Sequence, residues 1–212
     1  MANMIQNRLS VIASPAEVAR FVGAAEGFPH RWSTDLNPAV RQVFSFHRLV
    51  PIAEHLLRNA AAAEEVEHER AAWGIKWGDV PDPTREMSPP NVVTYSYETP
   101  WGPGDLFLAK LGWKWTSGGS NAVIVASWSD RYFPCRGRIA YEAGIALAKW
   151  REYGTPLRLR EGAFRKQHEL ATWSDEERER VRNEEVATWA SGYLDGHDGA
   201  VAGLLEAWRQ NQ

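Results

Sequence analysis

The chain has 212 residues, 44% of them hydrophobic, with 24 Lys and Arg against 27 Asp and Glu for a formal net charge of −3. This composition fits a globular protein with one good core and an appendage, and argues against a disordered chain or one devoted to coating nucleic acid. No apolar run approaches the roughly 18 residues that span a bilayer. The polar start, Met1–Ser10, lacks the build of a secretory signal, so a cytoplasmic protein with no membrane partner is expected. Cys135 is the single cysteine, which excludes an intrachain disulfide and any multi-cysteine metal centre.

Alternation of Ile5, Asn7, Leu9 and Val11 predicts a first strand over Met4–Ile12. Ser14, Pro15 and Glu17 form a capping-box signature, and Val18, Phe21, Val22 and Ala25 recur at helical spacing, so a helix is predicted over Pro15–Ala25. Val43–Phe46 reads as a short strand. From Pro51 a helical pattern rich in alanine runs to about His68; its weak apolar stripe predicts an insertion, at about 51–90, that packs less deeply than the first helix. Gly74, Gly78, Pro81 and Pro83 then open a loop that continues to Pro89-Pro90.

Val92–Thr99 alternates strongly as a strand, with Val93, Tyr95 and Tyr97 on one face. Pro100, Gly102, Pro103 and Gly104 turn the chain into a helix near Asp105–Trp113, with Leu108 and Leu111 on its apolar stripe and Leu106 as an extension of it. Ala122–Trp128 is apolar at both parities, the pattern of a central strand covered on two faces. A shorter strand is read at Gly137–Tyr141. Past about Tyr153 the chain reads as a helical extension, 154–212. One helix capped by Ser174 presents Val186, Trp189, Ala190 and Tyr193, and a last helix after Gly199 presents Val201, Leu204, Leu205 and Trp208. The two could pack as a hairpin on the parent domain or join two subunits, and a homodimer through Trp189, Tyr193, Leu204 and Trp208 is expected.

The order of elements predicts an α+β protein, a modified ferredoxin-like split βαβ sheet with an inserted helix and C-terminal helical additions. Asn7-Arg8-Leu9-x-Val11, Phe44-Ser45-Phe46 with Pro51, Trp73-Gly74-Ile75-Lys76-Trp77 and Tyr97-Glu98-Thr99-Pro100-Trp101-Gly102-Pro103 together resemble the YubB-like family with a ferredoxin-like domain. The resemblance runs in order from about Asn3 to Gly144. It implies a chain belonging to plasmids, phages and bacterial genomes, in a family most of whose members have no assigned molecular activity.

Eleven tryptophans, several grouped around the middle of the chain, can build a core or a flat recognition surface. Lys76 between Trp73 and Trp77 could set a cation beside stacking indoles, or lie as a stem across core tryptophans. Trp101, held among prolines and glycines before a helix, could pack on the sheet edge or sit beside amides that bind an anion. Residues Arg131 to Lys166 carry a charge of +6, whereas Ala171 to Gln212 carry −5. The basic stretch could meet phosphate, or simply solvate a helix and a strand.

His55 and His68 share a helical segment with Glu64, but no zinc-protease or deaminase spacing accompanies them, and ordinary salt bridges explain them better. Asp130, Arg131, Tyr132 and Cys135 form a compact polar group. It supplies no evident catalytic base, so a packed free cysteine in a charged loop is the simpler reading. Neither a cofactor nor a metal is expected. The sequence therefore points to a protein that acts without a catalytic step: a binding protein of a mobile genetic element that engages a host protein. Its candidate surface comprises Trp73, Lys76, Trp77, Trp101, Lys114, Asp130, Arg131, Arg136 and Arg138. The alternative is a nucleic-acid-binding domain that uses Lys76, Lys114, Arg131, Arg136 and Arg138.

Overall fold

A computed structural model of the chain describes residues 4–28, 40–57, 62–75, 83–87, 89–130, 135–153 and 196–210. Strand β1 (Met4–Ile12) leads into helix α1 (Pro15–Ala25). Ser14 caps α1: its Oγ accepts the Glu17 N–H at 3.3 Å, and the Glu17 carboxylate reaches back to the Ser14 N–H and hydroxyl. These bonds hold the Glu17 carboxyl below its ordinary range against the opposing effect of burial. Two short helices, α2 (Phe46–Leu49) and α3 (Glu54–Leu57), precede α4 (Ala62–Trp73). Then come β2 (Thr84–Met87), β3 (Val92–Pro100), α5 (Asp105–Thr116), β4 (Val123–Asp130), β5 (Cys135–Glu142) and β6 (Ile145–Tyr153). A last helix, α6, covers 196–210.

The fold is α+β, with one six-stranded antiparallel sheet in the order β2-β3-β1-β4-β5-β6. β1 lies between β3 and β4 in register, Leu9 facing Tyr95 on one side and Ala126 on the other. The odd residues of β1 therefore join one row across the sheet and the even residues join the other. On the first face Ile5, Leu9, Val11, Tyr95, Tyr97, Ile124 and Trp128 form one buried cluster with Val18 and Phe21 of α1 and Phe107, Leu108 and Leu111 of α5. Its densest part is aromatic. Phe46 stacks on Phe107 with ring centroids 3.7 Å apart, and Trp73 meets Phe46 edge-on at 5.8 Å. The second face holds a smaller cluster in which Val201, Leu205 and Trp208 of α6 cover Ile12, Val92, Val123, Val125 and Ala140.

Several elements depart from the sequence expectations. Val43–Phe46 is not a strand: Ser45 caps α2 by accepting the Arg48 N–H, and the nearest ladder-like pairing is an isolated bridge between Gly27 and Gln42. The helix predicted from Pro51 to about His68 is helical at 54–57 and from 62 onward, with 58–61 outside the described residues, and it continues past His68 to Trp73, where Gly74 at φ +78° ends it. Of the described residues of the predicted 51–68 segment, Ile52 and Leu57 join the apolar core and Glu65 is buried, against Val18, Phe21 and Ala25 in α1. The loop expected towards Pro89 contains β2, an edge strand tied to the end of α1 by an ion pair between Arg85 and Glu26. Hydrogen bonding to Arg85 holds the Glu26 carboxyl below its usual range. Leu106 is exposed rather than part of the buried stripe of α5.

β6 was not expected at all. It pairs with β5 through a tight turn whose central residues, Ala143 and Gly144, sit at φ 49° and 78°, the positive values that a two-residue hairpin of matching twist requires. Thr116 ties this turn to α5: its hydroxyl donates to the Gly112 carbonyl and accepts the Gly144 N–H, each at 2.8 Å. The predicted helix around 186–193 lies outside the described residues. The last helix is already formed at Gly196, ahead of the start expected after Gly199.

Gly112 is the point where α5 touches β5 most closely, since a Cβ there would come within 2.3 Å of the Tyr141 ring. Gly112→Ala should therefore destabilise the protein by about 1–3 kcal/mol despite the better helix propensity of alanine. Urea unfolding of the two proteins measures it.

Candidate functional site

Helix α5 turns Phe107, Leu108 and Leu111 into the core and leaves the opposite side outward. Leu106 and Trp113 lie seven residues apart on that outer side, about 10 Å along the axis, and are 45% and 66% exposed. Ile145, at 67%, follows Gly144, and the position a Cβ of Gly144 would take lies 3.6 Å from the Trp113 ring. Just before the helix, Trp101 is 51% exposed. Ile145 pairs with Glu142, in line with Val123, and so belongs to the second face of the sheet; the outward apolar group on α5 is Leu106 and Trp113, with Trp101 at the entrance of the helix.

The backbone that presents Trp101 is unusual. Trp101 has φ 59°, a left-handed conformation that costs a non-glycine residue roughly 1–2 kcal/mol. A polar network holds it there. The Thr99 hydroxyl donates to the Gly102 carbonyl at 2.6 Å, and the Gly102 N–H donates to the Pro100 carbonyl at 2.9 Å. Buried Asn7 donates its amide to Thr99 Oγ1 at 2.8 Å and to the Ile5 carbonyl at 3.0 Å. A buried amide thus fixes the start of the exposed surface, and such strain is often found where a side chain is held for contact.

The remaining residues singled out in the sequence fall elsewhere. Trp73 is wholly buried and its indole N–H donates to the Val50 carbonyl at 2.8 Å, so it belongs to the core and offers no recognition surface. Lys114 donates to the Leu49 carbonyl at 2.9 Å, and Lys110 donates to the Ala71 and Ala72 carbonyls. Both lysines of α5 thus cap the carbonyl ends of neighbouring helices, the end that favours a cation. Asp130 is buried at the end of β4. Arg136 and Arg138 share the second face of the sheet with Arg8 and Ser127, across the sheet from Lys114. Of the described basic residues proposed to meet phosphate, Arg136 and Arg138 therefore share a face and Lys114 lies apart from them. Lys76, Trp77, Arg131, Trp189 and Tyr193 lie outside the described residues. Leu204 and Trp208, expected at a subunit interface, pack on the sheet of their own chain, where Trp208 donates its indole N–H to the Asn121 carbonyl.

One group on the second face was not foreseen. His197, in the first turn of α6, is fully buried between two serines: Nε2 lies 2.9 Å from Ser10 Oγ and Nδ1 lies 2.8 Å from Ser127 Oγ. Arg138 Nε donates to Ser127 Oγ at 2.9 Å, and Ser10 Oγ is 2.7 Å from Thr94 Oγ1. Next along α6, Asp198 pairs with Arg8 through both carboxylate oxygens, at 2.9 and 3.0 Å. Desolvation, reinforced by Arg8 and Arg138, lowers the His197 pKa to about 4, so the ring is neutral near pH 7. A nucleophilic site would pair the far imidazole nitrogen with an orienting group and leave the serine open to substrate. Here the far nitrogen meets a second serine, the neighbouring carboxylate is spent on Arg8, and the ring is closed to solvent. The geometry is that of a docking contact. Among the described residues, no three His, Cys, Asp or Glu side chains gather as a metal site would require. None of the helices described is long and apolar enough to cross a membrane.

No family model matches the chain, and no curated protein matches it in sequence. Among solved structures, the crystal structure of protein api92 from Yersinia pseudotuberculosis, of family DUF1281, is similar at 9% identity and a TM-score of 0.49; the match covers 73% of this chain and 99% of that one.

The polar network around Trp101 depends on Asn7. Asn7→Ala should leave the Thr99 hydroxyl short of a donor and cost about 1–3 kcal/mol. Amide exchange should also quicken at 99–102 before it does in β4, and hydrogen-exchange mass spectrometry reads both effects.

Proposed function

We propose that this chain is a non-catalytic binding protein and that it grips a partner protein through the outer side of α5. One observation carries the reading: Trp113 and Leu106 are exposed on the same side of a helix whose other side is locked into the core, with half-exposed Trp101 at its entrance. Aromatic side chains on a rigid support are the usual anchors of protein interfaces, because they bury a large area and lose little rotamer freedom. A surface helix gains nothing from such residues unless something covers them. Rigidity here comes from the Lys110 and Lys114 caps and from the Thr116 link to the hairpin turn.

The fold we infer is a ferredoxin-like split βαβ extended by one hairpin. What supports it is that β1-α1-β2-β3-α5-β4 pairs in the order β2-β3-β1-β4, with β5 and β6 added at the β4 edge. The partner we propose is a host protein, engaged by a component of a mobile genetic element; the sequence resemblance to the YubB-like family supports this part of the reading.

The test compares the intact chain with a Leu106→Glu, Trp113→Glu double variant as baits in cells of the native host. Both substitutions are at exposed sites, so together they should change stability by less than about 1 kcal/mol. The wild type should retain a specific protein that the variant loses by roughly 30-fold or more, the effect of removing an interface anchor. Equal recovery by both baits would remove the reading. Salt-sensitive binding of oligonucleotides by both proteins would replace it with the nucleic-acid alternative.

A further inference from the structure

Helix α6 is held on the sheet by two unlike contacts. Its distal part is apolar, Val201, Leu205 and Trp208 closing over Ile12, Val92, Val123, Val125 and Ala140. Its first turn is polar and inserts His197 between Ser10 of β1 and Ser127 of β4. The hydrogen-bond pattern has a consistent direction when the ring is neutral. Arg138 must donate to Ser127, so Ser127 can pass its own proton to Nδ1; Nε2–H then donates to Ser10, which donates to Thr94.

We propose that His197 is the catch of a proton-operated latch: neutral, it holds the first turn of α6 in the sheet; protonated, it releases the helix and uncovers the apolar sheet surface beneath. A second proton on the ring would have to be buried beside two permanent cations, Arg8 on β1 and Arg138 on β5. It would also force Ser127 to accept from both the ring and Arg138 while its own proton loses its acceptor. β4 brings no charged side chain to this face, Ser127 and Ser129 standing there. Arg136 of β5 lies one cross-strand pair further along, opposite Ser129. Glu98 of β3 and Glu86 of β2 share the face but lie opposite Gln6 and Thr94. Among the described residues the carboxylate beside the ring is Asp198 of α6 itself, and both its oxygens are engaged by Arg8.

The direction with pH follows. The docked ring resists protonation until about pH 4, whereas a released histidine takes up its proton near its ordinary value of 6.5. Between those values the released state binds more protons than the docked state. Docking is therefore strongest above about pH 6.5, weakens as the pH falls, and changes little more below about pH 4.

Hydrogen exchange of the amides of 199–210 in the full chain tests this, expressed as protection relative to intrinsic rates so that the pH dependence of the exchange chemistry cancels. In the wild type, protection should fall roughly 50- to 100-fold from pH 7.5 to pH 4.5, while amides of β1 and β4 at their pairing with each other stay protected. In His197→Gln, whose side chain stays uncharged, it should stay level over the same range. Arg138→Met serves if that variant does not dock: with one cation gone from beside the ring, the fall should be smaller than in the wild type, whatever the starting level. A wild-type helix equally protected at both pH values would overturn the proposal. So would a fall of the same size in His197→Gln, or an undiminished fall in Arg138→Met.

Discussion

Every residue of β4 is buried, from Val123 to Asp130, and the rest of the molecule follows from the need to cover that strand twice. A strand with no exposed side chain must have a layer of structure on each face. On the first face the cover is local in sequence, since α1 follows β1 and α5 precedes β4. On the second it comes from the end of the chain, where α6 lies on Val123 and Val125. The smaller cover has fewer apolar side chains and supplements them with a buried histidine and an ion pair to Arg8. Such contacts depend on protonation in a way that buried leucine and phenylalanine do not.

Tryptophans among the described residues serve two uses, and their surroundings make the division intelligible. Trp73 and Trp208 each bury the ring and satisfy the indole N–H on a backbone carbonyl, of Val50 and Asn121 respectively. Each therefore closes a joint between elements far apart in the chain. Trp101 and Trp113 instead stand outward on a helix and its entrance, and the elements that hold them are tied down by Asn7, Thr99 and Thr116. A rigid mount for exposed aromatics reduces the ordering cost of contact, which is the property a binding surface needs. The two lysines of α5, Lys110 and Lys114, are engaged in capping neighbouring helices.

The second face shows how a serine–histidine–serine contact can resemble catalytic machinery without its chemistry. Three features decide against that use: the imidazole is closed to solvent, its far nitrogen meets a hydroxyl, and two guanidinium groups disfavour the cation that general-base catalysis would generate. Those same features make the ring a good structural wedge while it is neutral. The local arrangement thus links the attachment of one helix to a single titration.

Elements that rest on local chemistry were legible in the sequence. The Ser14–Glu17 capping box and the periodicity of Val18, Phe21 and Ala25 place α1, while strict alternation places β1 and β3, because these signals act over a turn or two of chain. The two-sided apolar pattern of Ala122–Trp128 likewise announces a doubly covered strand. β6 was hidden because Ile145–Tyr153 ends in a mixed run of Lys149, Trp150, Arg151 and Glu152 and acquires its strand form from pairing across the Ala143-Gly144 turn. β2 was hidden because four mostly exposed residues carry no apolar alternation and depend on Arg85 reaching Glu26. Helical spacing could relate Leu106 to Trp113, but not say which side of α5 would meet the sheet. Nor could it set His197 between Ser10 and Ser127, 187 and 70 residues away in the chain. Sequence by itself determined the local conformations and the demand for two apolar faces; the tertiary structure alone decided which indoles are covered and which histidine is buried, because burial and hydrogen-bond partners depend on contacts between elements that no local pattern encodes.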